Sequence, residues 1–208
     1  MTLLTSIFAV IAAYLLGSVS FAVVVSRVLG IQDPRTFGSG NPGATNVLRS
    51  GSKKAAALTL LLDFLKGYIP VVLTLWLTPT LGWASYVAPL VALAAFLGHL
   101  YPVFFGFKGG KGVATAAGVL LGVAPLMGLA VLVTWLLVVV TTRYSSLAAL
   151  VAAALAPVHY MIFHWNAGIN VLMAVTIAIM AIFLIYRHRA NIEKLLARTE
   201  SRIGQEKS

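Results

Sequence analysis

Long apolar stretches that carry almost no charge constrain this chain more than any other feature of its sequence. Seven such stretches are present, at residues 3–29, 55–77, 84–105, 113–124, 126–140, 147–163 and 169–186. An α-helix needs about 20 apolar residues to cross a bilayer, and the first three stretches reach that length. Charged residues make up 10% of the chain, against about 25% in a soluble domain. The sequence therefore predicts an all-α fold, a polytopic membrane helical bundle.

The segment around Pro125 decides how many times the chain is expected to cross the membrane. If residues 113–140 formed one kinked helix, six spans would place the basic C-terminal tail opposite the basic first loop, against the positive-inside rule. Splitting the segment at Pro125 gives about seven transmembrane helices, with the N-terminus outside and the C-terminus cytoplasmic. A short hairpin at Pro125 that enters and leaves on the cytoplasmic side gives the same orientation with five full spans. The tail carries Arg187, Arg189, Lys194, Arg198, Arg202 and Lys207.

We expect residues 1–208 to form a single integral membrane domain, with the basic cytoplasmic tail at about 187–208. The net charge is +10, from 15 Lys and Arg against 5 Asp and Glu. Because the apolar spans leave little room for a nucleic-acid-binding fold, this charge favours anionic lipid or an anionic substrate as the partner. The chain has no cysteine, which excludes disulfides and thiolate chemistry. The few acidic residues show no ligand spacing, so neither a metal nor a cofactor is predicted.

The first loop, residues 33–49, combines glycines with side chains that donate hydrogen bonds. The glycines allow backbone N–H groups to turn toward one point, and a planar guanidinium follows them, as in an anion-binding nest with a charged clamp. The alternative is an ordinary turn-rich connection with a helix cap. The donors and the turn residues are Gly38, Ser39, Gly40, Asn41, Gly43, Thr45, Asn46 and Arg49.

The second loop, residues 104–112, contains four glycines and two lysines and leads directly into an apolar helix. A glycine-rich turn that opens a helix points free N–H groups and the positive end of the helix dipole at a ligand. The sequence is not a Walker A loop, which requires Gly at the position of Phe105 and Ser or Thr at that of Gly112, so ATP is not predicted. Anion binding is the preferred interpretation. The alternative is that Lys108 and Lys111 merely extend to lipid headgroups.

A third polar group is divided between two places in the chain. Arg143, Tyr144, Ser145 and Ser146 link two spans. His188 and Asn191 follow the last span, and on a continuing helix they would share one face. A lone histidine is more often structural, but a histidine with an asparagine one turn away suggests a site.

Asp63 and Lys66 lie three residues apart within an apolar stretch, where charges are costly and suggest a function. Either the two pair with each other, or Lys66 extends to the cytoplasmic loops. His99, near the end of the third stretch, allows both a structural and a functional interpretation.

Three runs of residues resemble the bacterial acyl-phosphate:glycerol-3-phosphate acyltransferases. They are 38–49, 98–115 and the pair 143–146 with 188–192, so the resemblance spans nearly the whole chain. It implies transfer of a fatty acyl group from acyl-phosphate to the 1-hydroxyl of sn-glycerol 3-phosphate. The products would be lysophosphatidic acid and inorganic phosphate, in the first acylation of phospholipid synthesis. It also implies a bacterial cytoplasmic (inner) membrane enzyme whose active site faces the cytoplasm. Its functional neighbours would be the enzyme that forms acyl-phosphate and the second acyltransferase of phosphatidic acid synthesis.

The resemblance also assigns roles to residues. His188, Asn191, Ser39 and Lys111 are expected to be catalytic, with the proton taken either by His188 or by the leaving phosphate. The glycines and small polar residues would surround the acyl-phosphate head, the cations would bind phosphates, and the third group would position glycerol 3-phosphate. The expected substrate-binding residues are Gly38, Ser39, Gly40, Asn41, Thr45, Asn46, Arg49, Lys66, Lys108, Gly109, Gly110, Lys111, Gly112, Tyr144, Ser145, Ser146, His188 and Asn191.

Two other functions are compatible with the sequence. A transporter or channel for a small phosphorylated solute would explain the spans and the basic loops. However, the polar groups are expected at one membrane face, whereas transporter sites lie near the midplane, and no inverted repeat is visible. A lipid-binding scaffold without chemistry would leave the dense hydrogen-bond donors unexplained.

Overall fold

The computed structural model describes residues 2–166 and 168–204, and its regular secondary structure there is helical. Lys207, which we include in the basic tail, lies outside the described residues. The chain forms two compact units, one ending at Val123 and the other beginning at Ala124. Because the regular secondary structure of the described residues is helical, the all-α prediction is confirmed.

The first unit is built around one long helix. Its helices are α1 (Thr2–Gly17), α2 (Phe21–Val28), α3 (Ala44–Leu48), α4 (Lys53–Leu81), α5 (Val87–Leu100) and α6 (Val113–Val123), with a short 3-10 turn at Val103–Phe105. Helix α4 packs most extensively against α6, and α1 against α5. Helix α4 also contacts α1, α2, α3 and α5, so it forms the centre of this unit. The hydroxyl of Ser52 caps α4 by accepting from the N–H of Ala55 at 3.2 Å, which satisfies one of the free N–H groups of the first turn.

Glycines bring the helices of the first unit into close contact. A side chain at Gly118 would collide with the carbonyl of Phe64 on α4. A side chain at Gly98 on α5 would likewise collide with the carbonyl of Tyr14 on α1. Gly122 lies against Val71, also on α4. Small residues permit such close approach of helices in lipid.

The first apolar stretch differs from the single span that we predicted. Helices α1 and α2 are bent by 49° at a break over residues 18–20. The N–H groups of Val23 and Val24 both donate to the carbonyl of Ser20, so the Val19 carbonyl has no helical partner in that turn. It accepts a hydrogen bond from Nζ of Lys66 at 2.7 Å. A broken helix is tolerated in a membrane where another group satisfies the freed backbone atoms.

The second unit contains α7 (Pro125–Thr142), α8 (Ser145–His164), α9 (Val171–Arg187) and α10 (Arg189–Leu196). Helix α8 packs against both α7 and α9. Its contact face carries small side chains, and Ala149, Ala152, Ala153 and Ala156 are buried. Pro125 is at the start of α7, where its missing N–H costs nothing. The predicted break at Pro125 is therefore confirmed.

Among the residues that the structure describes, four helices are long and apolar enough to cross a membrane, and up to six spans result if each bent helix pair counts as one. Helix α6 has 11 residues and is shorter than a span. Large apolar side chains face outward in both units, including Trp76 at 71% exposure and Val140 at 75%. Apolar surface on this scale is unfavourable in water and suits a lipid environment. The count of seven and the orientation of the termini stay predictions.

Candidate functional site

The first loop is held in shape by the amide of Asn46. Its Oδ1 accepts from the N–H of Ser39 at 2.9 Å, and its Nδ2 donates to the carbonyls of Pro34 at 2.6 Å and Phe37 at 3.1 Å. Asn46 is buried, and its bond to the Pro34 carbonyl is shielded from water. We expected this amide to contact a substrate, whereas here it binds the loop itself. Its contribution to a site is the shape of the loop.

Several polar groups of the first loop are exposed. Gly38 and Gly40 have φ angles of 59° and 66°, in the left-handed region that glycine adopts without strain. Both are exposed, as are Ser39, Thr45 and Arg49, and Asn41 is half-buried. The Arg49 side chain runs beside Gly38. Hydroxyls and a guanidinium are therefore exposed together, whereas the N–H groups of Ser39 and Gly40 bond within the loop.

Arg35 forms an ion pair on the first loop and also contacts the second loop. Nη2 of Arg35 lies 2.6 Å from Oδ2 of Asp33, and the guanidinium carbon lies 5.9 Å from the ring centroid of Phe105. The hydrogen bonds from Arg35 hold the pKa of the Asp33 carboxyl below its usual value. This stabilisation is present above the ordinary carboxyl pKa and is lost as the pH falls through the lowered one. The Arg35–Phe105 contact places both loops at the same end of the first unit.

The second loop turns back on the end of α5. Gly106 and Phe107 have φ angles of 60° and 59°, and the N–H of Phe107 donates to the carbonyl of Pro102 at 2.9 Å. The N–H of Gly110 donates to the carbonyl of His99 at 3.1 Å. These turns fold the loop onto the helix that precedes it.

The lysines and glycines of the second loop differ in their exposure. Lys108 is exposed and Lys111 is half-buried, whereas Gly109, Gly110 and Gly112 are buried. Helix α6 begins at the next residue, and the N-terminus of a helix favours negative charge. The loop thus combines two ammonium groups with a helix N-terminus, a combination suited to a phosphate.

Asp63 and Lys66 pair with each other within α4. Nζ of Lys66 lies 2.7 Å from Oδ1 of Asp63, and the two side chains are 1% and 3% exposed. The pairing alternative is confirmed. With a second bond to the Val19 carbonyl, the Lys66 ammonium is committed to the helix packing. We therefore leave Lys66 out of the proposed substrate contacts.

In the second unit, the segment after α10 folds onto the turn between α7 and α8. The N–H of Ile203 donates to the Arg143 carbonyl at 2.8 Å, and Nη2 of Arg143 donates to the Ile203 carbonyl at 3.0 Å. Nε of Arg202 donates to the Tyr144 hydroxyl at 3.1 Å, and its guanidinium lies 5.2 Å from the ring centroid. Tyr144 is thus part of this contact, and Ser145 begins α8 beside it.

Glu200 joins two of the predicted site residues, and the sequence did not indicate it. Its Oε1 accepts from the Ser146 hydroxyl and from Nδ2 of Asn191, both at 2.7 Å. Hydrogen bonds to a charged acceptor are among the strong ones in proteins. The carboxylate therefore holds together two residues that we predicted for the same site. The available signal was an acid within a basic tail, nine residues after Asn191.

His188 lies where two helices meet. Helices α9 and α10 are bent by 58° at this residue, so the continuing helix that we expected is wrong. The N–H of His188 donates to the carbonyls of both Leu184 and Ile185, which tightens the last turn of α9 and redirects the chain. Nδ1 lies 2.8 Å from the Leu184 carbonyl. Because a carbonyl only accepts, Nδ1 carries the hydrogen and Nε2 is the basic nitrogen of the neutral ring.

The predicted site residues therefore form two groups, one in each unit. In the first unit, the two loops meet through Arg35 and Phe105. In the second unit, Ser146 and Asn191 meet at Glu200, with His188 one turn before Asn191. In the part of the chain that the structure describes, His, Asp and Glu residues form no group of three or more that could hold a metal ion.

Comparisons with known proteins identify the family of the chain. The model of the family described as glycerol-3-phosphate acyltransferase matches residues 7–198. A glycerol-3-phosphate acyltransferase of Ralstonia nicotianae is 62% identical, with 98% of this chain and 96% of the relative covered. Its counterpart from Bordetella pertussis is 57% identical, with coverages of 99% and 95%.

Two solved structures share the fold. Both are of PlsY (YgiH), described as an integral membrane glycerol 3-phosphate acyltransferase, in its glycerol 3-phosphate and lysophosphatidic acid forms. Their TM-scores are 0.86 and 0.84, at 44% identity over 96% of each chain. Since the family model covers most of the sequence and the relatives exceed half identity, this integral membrane protein belongs to the glycerol-3-phosphate acyltransferase family.

Proposed function

We propose that the protein transfers a fatty acyl group from acyl-phosphate to the 1-hydroxyl of sn-glycerol 3-phosphate, the first acylation of phospholipid synthesis. The observation that carries this proposal is the meeting of two glycine-shaped, cationic loops at one end of the first unit. The relatives' solved forms with glycerol 3-phosphate and lysophosphatidic acid support the acceptor and the product. The donor is inferred from the chemistry of the transfer.

An acyl-phosphate donor explains why the site lacks an obvious nucleophile. Acyl-phosphate is a mixed anhydride and is already activated, so the protein need only align the hydroxyl with the carbonyl and neutralise charge. The hydroxyl oxygen attacks the carbonyl carbon, the bond from that carbon to the phosphate oxygen breaks, and inorganic phosphate leaves. Both substrates carry a phosphate, which accounts for the two cationic loops. The acyl tail would lie among the apolar helices.

We assign roles to residues on this basis. The exposed donors of the first loop and the glycines of the second surround the acyl-phosphate head or the developing oxyanion, with Asn46 shaping the first loop. The cations bind phosphate, and the residues of the second unit position glycerol 3-phosphate. The residues around the acyl-phosphate head are Ser39, Gly40, Asn41, Thr45, Gly109, Gly110 and Gly112. The cations that bind phosphate are Arg49, Lys108 and Lys111. The residues that position glycerol 3-phosphate are Tyr144, Ser145, Ser146, His188 and Asn191.

The experiment that tests the function is phosphate release from palmitoyl phosphate by the purified protein in lipid, with and without glycerol 3-phosphate. We expect release that depends on glycerol 3-phosphate, with lysophosphatidic acid formed in equal amount. Saturable uptake of glycerol 3-phosphate into sealed vesicles without phosphate release would instead establish a transporter. If lysophosphatidic acid formed only from another acyl donor, the protein would still be an acyltransferase, but acyl-phosphate would not be its donor.

Replacing His188 by alanine tests which group takes the hydroxyl proton. We propose that the departing phosphate takes it and that His188 orients the acceptor. His188→Ala is then expected to keep kcat within about tenfold while raising KM for glycerol 3-phosphate, since general bases contribute about 10²–10⁴-fold to rate. Steady-state kinetics with both substrates varied would check this. A kcat lowered by several hundredfold at unchanged KM would make His188 the base.

A single cysteine tests the proposed orientation. In that orientation, the loops and the tail lie on the cytoplasmic side of a bacterial inner membrane. The chain has no cysteine of its own, so Lys111→Cys and Thr80→Cys each carry one thiol. An impermeant maleimide added to intact cells should leave Lys111→Cys unlabelled and should label it after the membrane is opened. Labelling of Lys111→Cys in intact cells would reverse the orientation, and Thr80→Cys, at an exposed position on the predicted outer side, serves as the comparison.

A further inference from the structure

A connected cluster of buried polar groups lies beside the second loop and is not used by the proposed chemistry. Asp63, Lys66, His99 and Thr115 are each at most 7% exposed. Ionisable groups in a membrane protein interior are costly and are expected to serve a function. This cluster contacts the end of α5, before the second loop, and the start of α6, after it.

Asp63 is connected to both ends of the second loop. Before the loop, Oδ1 of Asp63 lies 3.6 Å from Nδ1 of His99, the next-to-last residue of α5. After the loop, the hydroxyl of Thr115 in the first turn of α6 donates to the main-chain carbonyl of Asp63 at 3.0 Å. The partner of the carboxylate, Lys66, is fixed in turn to the break in the first span. Asp63 is therefore a common support for the two helices that border the loop.

His99 contacts the second loop with its backbone and with its ring. Its carbonyl accepts from the N–H of Gly110 at 3.1 Å. A Cβ at Gly110 would collide with Nε2 and Cε1 of the imidazole, and one at Gly109 would collide with the His99 carbonyl. The ring thus occupies the space that a side chain at Gly110 would need. The course of the loop depends on the imidazole and not only on the flexibility of glycine.

We propose that His99 is a positioning residue that, held by Asp63, sets the course of the second loop and thereby its affinity for a substrate phosphate. This inference rests on the proposed function, because it assigns a phosphate to that loop. His99 itself touches neither substrate in this account. It acts by fixing where the backbone of Gly109 and Gly110 lies.

The test uses three variants of the full chain in lipid. His99→Asn keeps an amide donor close to the position of Nδ1, and so keeps a partner for Asp63, but removes the ring atoms that lie against Gly110. Gly110→Ala adds a methyl where the ring lies. The double variant His99→Asn/Gly110→Ala places that methyl in the space that the ring has vacated.

We expect His99→Asn to raise KM for one of the two phosphate substrates by about tenfold, with kcat changed less than about threefold. Gly110→Ala should raise the same KM by at least as much. Because the two residues are in contact, their effects should not add, and the double variant should have a KM below that of Gly110→Ala. The substrate whose KM responds is the one whose phosphate the loop holds.

Three outcomes would overturn the proposal. They are unchanged KM values in His99→Asn, a loss confined to kcat, and additive effects in the double variant. His159→Ala is the matched control, since this half-buried histidine bonds to the Leu155 carbonyl of its own helix and should leave both KM values unchanged. Failure of the proposed function is distinguishable, because the unaltered protein would then form no lysophosphatidic acid.

Discussion

Asp63→Asn is expected to lower the free energy of unfolding by about 3–5 kcal/mol, because it leaves the Lys66 ammonium buried beside a neutral amide. Water does not reach either side chain, so the remaining charge cannot be solvated without opening α4. The same ammonium holds the Val19 carbonyl at the break in the first span. Thermal unfolding in detergent, followed by circular dichroism, measures the loss.

Asp33→Asn is the matched control, since it makes the same substitution in an exposed pair. Oδ2 of Asp33 lies 2.6 Å from Arg35, but the two side chains are 31% and 41% exposed. Such pairs contribute about 0–1 kcal/mol, so the variant should unfold close to the unaltered protein. Asp63→Asn/Lys66→Met, which removes both buried charges, should regain most of the lost stability. Equal losses in Asp63→Asn and Asp33→Asn would show that the buried pair is not a structural support.

Glu200→Ala is expected to lower kcat/KM for glycerol 3-phosphate by roughly 10²-fold or more. The two hydrogen bonds to a charged acceptor contribute about 1.5–3 kcal/mol each to the ordering of this group. Without them, substrate binding must supply that ordering, and each 1.36 kcal/mol spent in this way lowers the rate about tenfold. Without the carboxylate, Ser146 and Asn191 are no longer held to each other. The initial rate of lysophosphatidic acid formation at limiting glycerol 3-phosphate measures the effect.

Glu200→Gln separates the loss of the hydrogen bonds from the loss of charge. Both donors bond to the same oxygen, Oε1, and the glutamine amide keeps one acceptor oxygen there, so this variant should stay within about tenfold of the unaltered protein. Glu193→Ala removes an exposed carboxylate from α10 and should leave the rate unchanged. If Glu200→Gln were as impaired as Glu200→Ala, the negative charge itself would be required, and the account given for Ser146 and Asn191 would fail.

The sequence predicted those features that neighbouring residues determine. Apolar stretches at 55–77 and 113–124 correspond to α4 and α6, and the resemblance to the acyltransferases is confirmed by the family match. Both loops were also recognised, because glycines, lysines and hydroxyl groups cluster in short segments. Hydrophobicity and turn chemistry act over a few residues, so a sequence displays them directly.

Features that depend on contacts between distant residues could not be predicted. The bond from Lys66 to Val19 joins positions 47 apart, and that from Ser146 to Glu200 joins positions 54 apart. The break after α1 and the position of Glu200 belong to this class. The bend at His188 depends on the hydrogen bonds of a single helical turn, which the periodicity of apolar residues does not indicate. The sequence likewise indicated Asn46 as a donor but not that the loop itself would use its amide.

The three bonds of Asn46 mean that the first loop takes its shape when the protein folds, before any ligand arrives. The conformational entropy of residues 34–39 is then lost during folding, and association with a substrate does not carry this cost. A preorganised loop of this kind binds with a smaller entropic penalty than one that orders around its ligand. Loosening it through Asn46→Ala should therefore appear in calorimetry chiefly as a less favourable entropy of binding.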